Sequence, residues 1–150
     1  MAGMTAHIRI IGLDELIKRF DSSDPVIHRE MKRAMTRAVL CELERMPPYP
    51  AKSDSSTYVR TGYLGRSMTS LVGRAPDAES TVEGEGDVIR GIVGTAVRYA
   101  PYVIGPAQAK AHQGNWWLLE ETVRSHTREI NAEFEEAEER IMIYLAGKGD

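Results

Sequence analysis

From Trp116 to Leu145 the chain contains neither proline nor glycine and is dense in good helix formers. Within this stretch Val123, Thr127, Ile130, Phe134, Ala137, Ile141 and Tyr144 recur at spacings of 4, 3, 4, 3, 4 and 3, a heptad-like apolar seam. The spacing predicts a C-terminal helix of about 30 residues, ~45 Å long, more than one small domain easily covers. Two arrangements satisfy it. The distal half packs on another subunit, or the helix is amphipathic and lies across a sheet of its own domain.

The rest of the chain reads as shorter elements. His7-Ile8-Arg9-Ile10-Ile11 alternates and is β-branched, as a strand does, and Gly12 ends it. Leu13, Leu16, Ile17 and Phe20 follow at the spacing of one helix face. Asp24 as N-cap and Pro25 at the first helical position open a second helix. It runs to about Met46, burying Val26, Ile27, Met31, Met35, Ala38, Val39 and Leu43, with Arg29, Lys32, Arg33, Arg37 and Arg45 on its other face. Pro47-Pro48-Tyr49-Pro50 stops it.

Beyond it, Thr61 to Leu64 reads as a turn or single helical turn, and Ser67 to Val72 as a strand. Thr81–Gly84 and Val88–Gly94 form a hairpin across Glu85-Gly86-Asp87. Gly91 and Gly94 signal a bulge or a close backbone approach. Tyr99 to Ile104 is short, helical or irregular. The fold class is therefore α+β: an antiparallel sheet of about four strands packed against helices, with the long C-terminal helix. Residues 1–150 form a single domain, with loops at about 47–60 and 105–115 that are polar, mobile and suited to ordering on a partner.

Charge is close to balance at net -3, so nothing demands a polyanionic partner. Its distribution is lopsided: residues 1–75 hold 12 Lys+Arg against 8 Asp+Glu, and residues 76–150 hold 7 against 14. Such a chain suits complementary contact with copies of itself or with neighbours, or it has two separately solvated faces. Cys41 is the sole cysteine, which excludes an intramolecular disulfide and fits a reducing cytoplasm. Its apolar neighbours make it a small hydrophobe and not a nucleophile. No signal-peptide pattern or membrane-length apolar run is present, so the expectation is a soluble, non-exported chain.

No catalytic or metal constellation emerges. His7, His28, His112 and His126 fall in different elements, without the helical spacing of a zinc site. His112, in a Gly-flanked loop beside Trp116 and Trp117, is the one histidine placed as a base, but no nucleophile or orienting acid is marked for it. Ser67 and Ser70 lack a nucleophile-elbow context, and Gly84 and Gly86 sit in an acidic hairpin that repels phosphate. Glu133, Glu135, Glu136, Glu138 and Glu139 read as a solvated helix face. Arg60, Arg66 and the basic face of the second helix offer a weak approach to a nucleic-acid backbone. The expectation is a protein with no cofactor and no metal. Two alternatives stay open: a small hydrolase-like enzyme centred on His112, and a nucleic-acid-binding accessory protein.

Three segments carry a family resemblance. Ile11-Gly12-Leu13-Asp14-Glu15-Leu16 follows the opening strand; Arg60-Thr61-Gly62-Tyr63-Leu64 follows a helix and a Pro-rich loop; Tyr99-Ala100-Pro101-Tyr102-Val103 follows a Gly-interrupted strand. In this order they resemble the small tail-component proteins of long-tailed bacteriophages, called tail completion, neck or head–tail joining proteins. Gln108, His112, Gly114 and Trp116 are similar to one branch of that family. Where many members carry an acidic residue and then Gly-Thr, this chain has Ile104-Gly105-Pro106.

The resemblance implies a non-enzymatic structural virion protein of the tail or neck, made in the bacterial host cytoplasm and forming a ring of sixfold or twelvefold symmetry. It implies head-completion, tail-terminator or tail-tube proteins as neighbours, passive contact with DNA in the channel, and no membrane. Arg60, Thr61, Gly62, Tyr63, Leu64, Tyr99, Ala100, Tyr102, Gly105, His112 and Trp116 become the assembly candidates. Tyr63, Tyr99 and Tyr102 either anchor a bend set by Thr61 and Gly62 or pack in the core with their hydroxyls at the surface.

Overall fold

The computed structural model describes residues 4–8, 25–52, 54–57, 59–85 and 88–147. The expected strand residues 9–11, the helix face from Leu13 to Phe20, the Asp24 cap and the turn residues 86 and 87 lie outside these. Three antiparallel strands form the sheet: β1 (Met4–Ile8), β2 (Thr81–Glu85) and β3 (Val88–Thr95), in the order β1-β3-β2. Met4 pairs with Thr95 and Ile8 with Gly91 on one side of β3; Thr81 pairs with Ile92 and Glu85 with Val88 on the other.

Alternation along β3 turns Ile89, Gly91, Val93 and Thr95 toward the core, where all four are buried. Helix α1 (Pro25–Arg45) lies on this face. Gly91 is what lets it settle: a Cβ there would sit 2.6 Å from Met35 Sδ and 2.9 Å from Val39 Cγ2. The expected close backbone approach is found at Gly94, where a Cβ would fall 2.6 Å from Met4 O, and β3 carries both glycines in regular register. Pro25 starts α1 as expected, and Pro47-Pro48 follows its end directly. Ile27, Met31, Met35, Ala38, Val39 and Leu43 are buried as expected, whereas Val26 is half-buried.

Helix α1 also buries Glu30 and Glu42, because a second helix covers its other flank. That helix, α5 (Thr127–Gly147), packs on α1 through Ile130, Phe134, Ala137 and Ile141. It runs antiparallel to α1, along a ladder of ion pairs: Glu30 to Arg140 at 2.9 Å, Arg37 to Glu136 at 3.3 Å, and Arg45 to Glu129 at 3.2 Å. The exposed Arg37 and Arg45 pairs add ~0.5 kcal/mol each and so set register more than stability, whereas the Glu30–Arg140 pair satisfies a buried carboxylate. Part of the lopsided charge, at Glu129, Glu133 and Glu136, is therefore matched inside one chain. Glu133 and Glu136 face Arg37, while Glu135, Glu138 and Glu139 stay exposed.

Two expected elements differ. The single 30-residue helix is two: α4 (Leu119–Ser125) and α5, separated at His126. Ser125 Oγ donates to Thr122 O at 2.7 Å and Thr127 Oγ1 to Arg124 O at 2.6 Å, so hydroxyls take the carbonyls at the junction. His126 turns inward, its Nδ1 2.9 Å from Glu42 Oε2. The seam consequently lies on α1 and not across the sheet.

The segment Ser67–Val72 is not a strand. Helix α2 (Tyr63–Met68) takes Ser67 and Met68, buries Leu64 and Met68 at a spacing of four, and leaves only a single bridge from Leu71 to Ser80. The sheet of the described residues therefore has three strands and not about four. Ser67 is buried against β3, its Oγ 2.7 Å from Thr95 Oγ1. Among the described residues no helix is long and apolar enough to cross a membrane. Cys41 is half-buried on α1.

Burial pushes the Glu42 carboxyl above its ordinary pKa, and the His126 hydrogen bond and the nearby Arg45 only partly offset this. At low pH the group is protonated in folded and unfolded chain alike. As pH rises toward the raised value, the unfolded chain gives up a proton that the folded chain retains, so this contribution to stability is lost. Glu42→Gln keeps the shape and an acceptor for His126. In urea titrations between about pH 4 and about pH 7, the wild-type midpoint is expected to fall relative to that of Glu42→Gln; parallel profiles would contradict the assignment.

Candidate functional site

Helix α2 begins at a glycine in the left-handed region: Gly62 has φ 71°, which a side chain would strain. Thr61 Oγ1 accepts from Tyr63 N at 3.3 Å, and Gly62 O accepts from Arg66 N at 3.0 Å, so the bend opens straight into the helix. Tyr49, from the proline-rich terminator of α1, seats its hydroxyl on the Gly65 N–H at 2.5 Å. A side chain at Gly65 would press on that hydroxyl at 3.1 Å and on the ring at 3.2 Å.

A second loop meets this one. After β3 the chain makes helix α3 (Ala100–Val103) and a run of turns to Trp116. Ala109 N bonds Tyr102 O at 2.8 Å, His112 N bonds Ala109 O at 2.8 Å, Trp116 N bonds His112 O at 2.9 Å, and Leu119 N bonds Ile104 O at 2.9 Å. The Gln108 amide reaches across the loop, donating to Val103 O at 2.7 Å and to Trp116 O at 3.2 Å. These bonds tie the 105–115 loop to itself and to helix α3. Gly105 is buried beneath it, where a Cβ would meet Pro101 Cα and O at 2.7 Å.

The loops join at Arg60. Its guanidinium carbon stands 5.6 Å from the Trp116 ring centroid and 5.9 Å from that of Tyr49, within cation–π range of both. Arg60 Nη1 donates to Pro50 O, and its Nε is shielded from solvent without a hydrogen-bond partner among the described residues. Tyr49 and Trp116 lie 5.1 Å apart at 54°, and His112 meets Trp116 edge-on at 5.8 Å. Tyr63 donates to Asp77 Oδ2 at 2.5 Å, a bond that holds its phenol above its ordinary pKa.

Of the sequence candidates, Arg60, Thr61, Gly62, Tyr63, Leu64, Tyr99, His112 and Trp116 line one cleft. Tyr102 lies on an adjoining groove of about 850 Å³ that also takes in Pro50, Lys52 and Asn115. Ala100 and Gly105 are buried and serve packing. Of the three tyrosines, Tyr63 is fastened at its hydroxyl, while Tyr99 and Tyr102 are exposed on the rim and are not packed in the core. Tyr49 and Asp77 escaped the sequence reading as site residues, and Gln108 entered it only through the family resemblance. Only the aromatic set between prolines in Pro48-Tyr49-Pro50 signalled the first of them.

The cleft and groove are cationic and aromatic, and no described residue lining them is a carboxylate. No cluster of three metal-ligating side chains occurs among the described residues. The basic face of α1 gives Arg37 and Arg45 to α5, which reduces what it offers a phosphate backbone. Compared with family models, curated proteins and solved structures, the chain has no significant match.

Arg60→Ala removes one carbonyl hydrogen bond and two ring contacts and is expected to cost about 2–3 kcal/mol. Arg60→Lys, which lacks the planar fork, should recover less than half of that. Urea unfolding followed by tryptophan fluorescence measures both; an unperturbed midpoint for Arg60→Ala would contradict the clamp.

Proposed function

We propose that the chain is a non-enzymatic structural component of a long-tailed phage virion, acting in tail completion or head–tail joining through self-association. The observation that carries this reading is the convergence of the segments 60–64 and 99–103 with His112 and Trp116 on one clamp. These are the stretches that resemble the tail-component family, and they are far apart in sequence. Their hydrogen bonds fix a shape: the histidine has a tryptophan edge for a neighbour, and the arginine is held by a carbonyl and two rings.

On this reading the clamp orders the loops, and the exposed Tyr99 and Tyr102 on its rim supply contact area. The assembly is a ring of sixfold or twelvefold symmetry in the tail or neck. It is flanked by head-completion, tail-terminator or tail-tube proteins, and DNA passes through without specific contact.

The test is electron microscopy of a lysate from the encoding phage carrying an early stop codon in this gene. Full heads and separate tails, rescued by the protein supplied in trans, are expected. Normal infectious particles would overturn the reading.

A further inference from the structure

Two surfaces of the chain are left with complementary chemistry and cannot meet within one copy. The first is the groove beside the clamp. It carries Lys52 and Arg60, and Tyr102 on its rim is 58% exposed. Among the described residues neither Lys52 nor Arg60 makes an ion pair, and the Arg60 guanidinium is held by the Pro50 carbonyl and the Tyr49 and Trp116 rings. The second is the outer stripe of α5. Glu135, Glu138, Glu139 and Met142 recur at i, i+3, i+4 and i+7, on an exposed flank of the helix beside the residues buried against α1. The three acids are exposed and unpaired among the described residues, and Met142 and its neighbour Ile143 are 59% and 73% exposed.

We propose that the α5 stripe of one copy docks in the Lys52–Arg60 groove of the next. This rests on the self-assembly reading and names its interface. Charge complementarity selects the occupant: an acidic, apolar-tipped ridge meets a cationic, aromatic-lined hollow. The glutamates supply the carboxylates absent from the groove's described lining, and Met142 and Ile143 supply apolar contact for Tyr102 and Trp116. The ion pairs from Glu30, Arg37 and Arg45 pin α5 to α1, so the stripe cannot fold back onto its own groove. Because groove and stripe are different surfaces, the contact is heterologous and propagates head to tail, closing into a ring or continuing as a filament.

Sedimentation of the full-length chain across a concentration series tests the interface. Lys52→Glu alone, and Glu138→Lys with Glu139→Lys, are each expected to weaken self-association by about tenfold or more, and more so at low salt. Joining the reversals in one chain should restore most of it. In a Cys41→Ser background, Tyr102→Cys with Met142→Cys should give an oxidative ladder of multimers; two single-cysteine chains mixed should stop at dimers. Circular dichroism confirms that each variant is folded.

Oligomers that ignore both reversals and give no 102–142 cross-link overturn this interface while leaving assembly standing. A wild-type chain that stays monomeric at every concentration, without the cross-link, overturns both the interface and self-association.

Discussion

Helix α1 is covered on two sides, and the rest of the molecule is arranged by that fact. One side lies on β3, where the bare Gly91 admits Met35 and Val39. The other carries Glu30 and Glu42 into an interface that only a helix with matching partners can occupy. Arg140 and His126 are those partners, and they fix α5 in direction and register. A carboxylate taken out of water without such a partner would be strongly destabilising. The two acids therefore specify which helix covers α1.

Once α1 is set, its proline-terminated end sends Tyr49 and Pro50 toward α2 and the loop after α3. The clamp around Arg60 is thus built from three chain segments that the sheet and α1 bring to one end of the molecule. Its chemistry is that of holding: a guanidinium between rings, a phenol on a backbone amide, a glutamine bridging a loop. Loops joined in this way present Tyr99 and Tyr102 at the rim.

The sequence made α1 legible because proline marks both its ends and its apolar residues keep one period. It could not reveal Glu30 and Glu42 as buried, since their partners lie 110 and 84 residues away in the chain. The same long-range pull explains the broken C-terminal helix: the seam continues through His126, but the imidazole is drawn to Glu42 while neighbouring hydroxyls take the helix carbonyls. At Ser67–Val72 an alternating pattern was outweighed by the bend at Gly62 and by Leu64 and Met68 one turn apart. Most of the clamp was legible as motifs, Arg60 to Leu64 and Tyr99 to Tyr102. Tyr49 was not, because its role depends on where the chain goes after the helix ends.

If the clamp holds both loops as one unit, they must open together. Native-state hydrogen exchange measures this directly, at the amides of Gly65 in the first loop and of His112 and Trp116 in the second. The account expects these three to share one opening free energy in the wild type and to lose protection in step in Arg60→Ala. Undiminished protection at His112 and Trp116 in that variant, with Gly65 alone exposed, would show two independent loops and contradict the account.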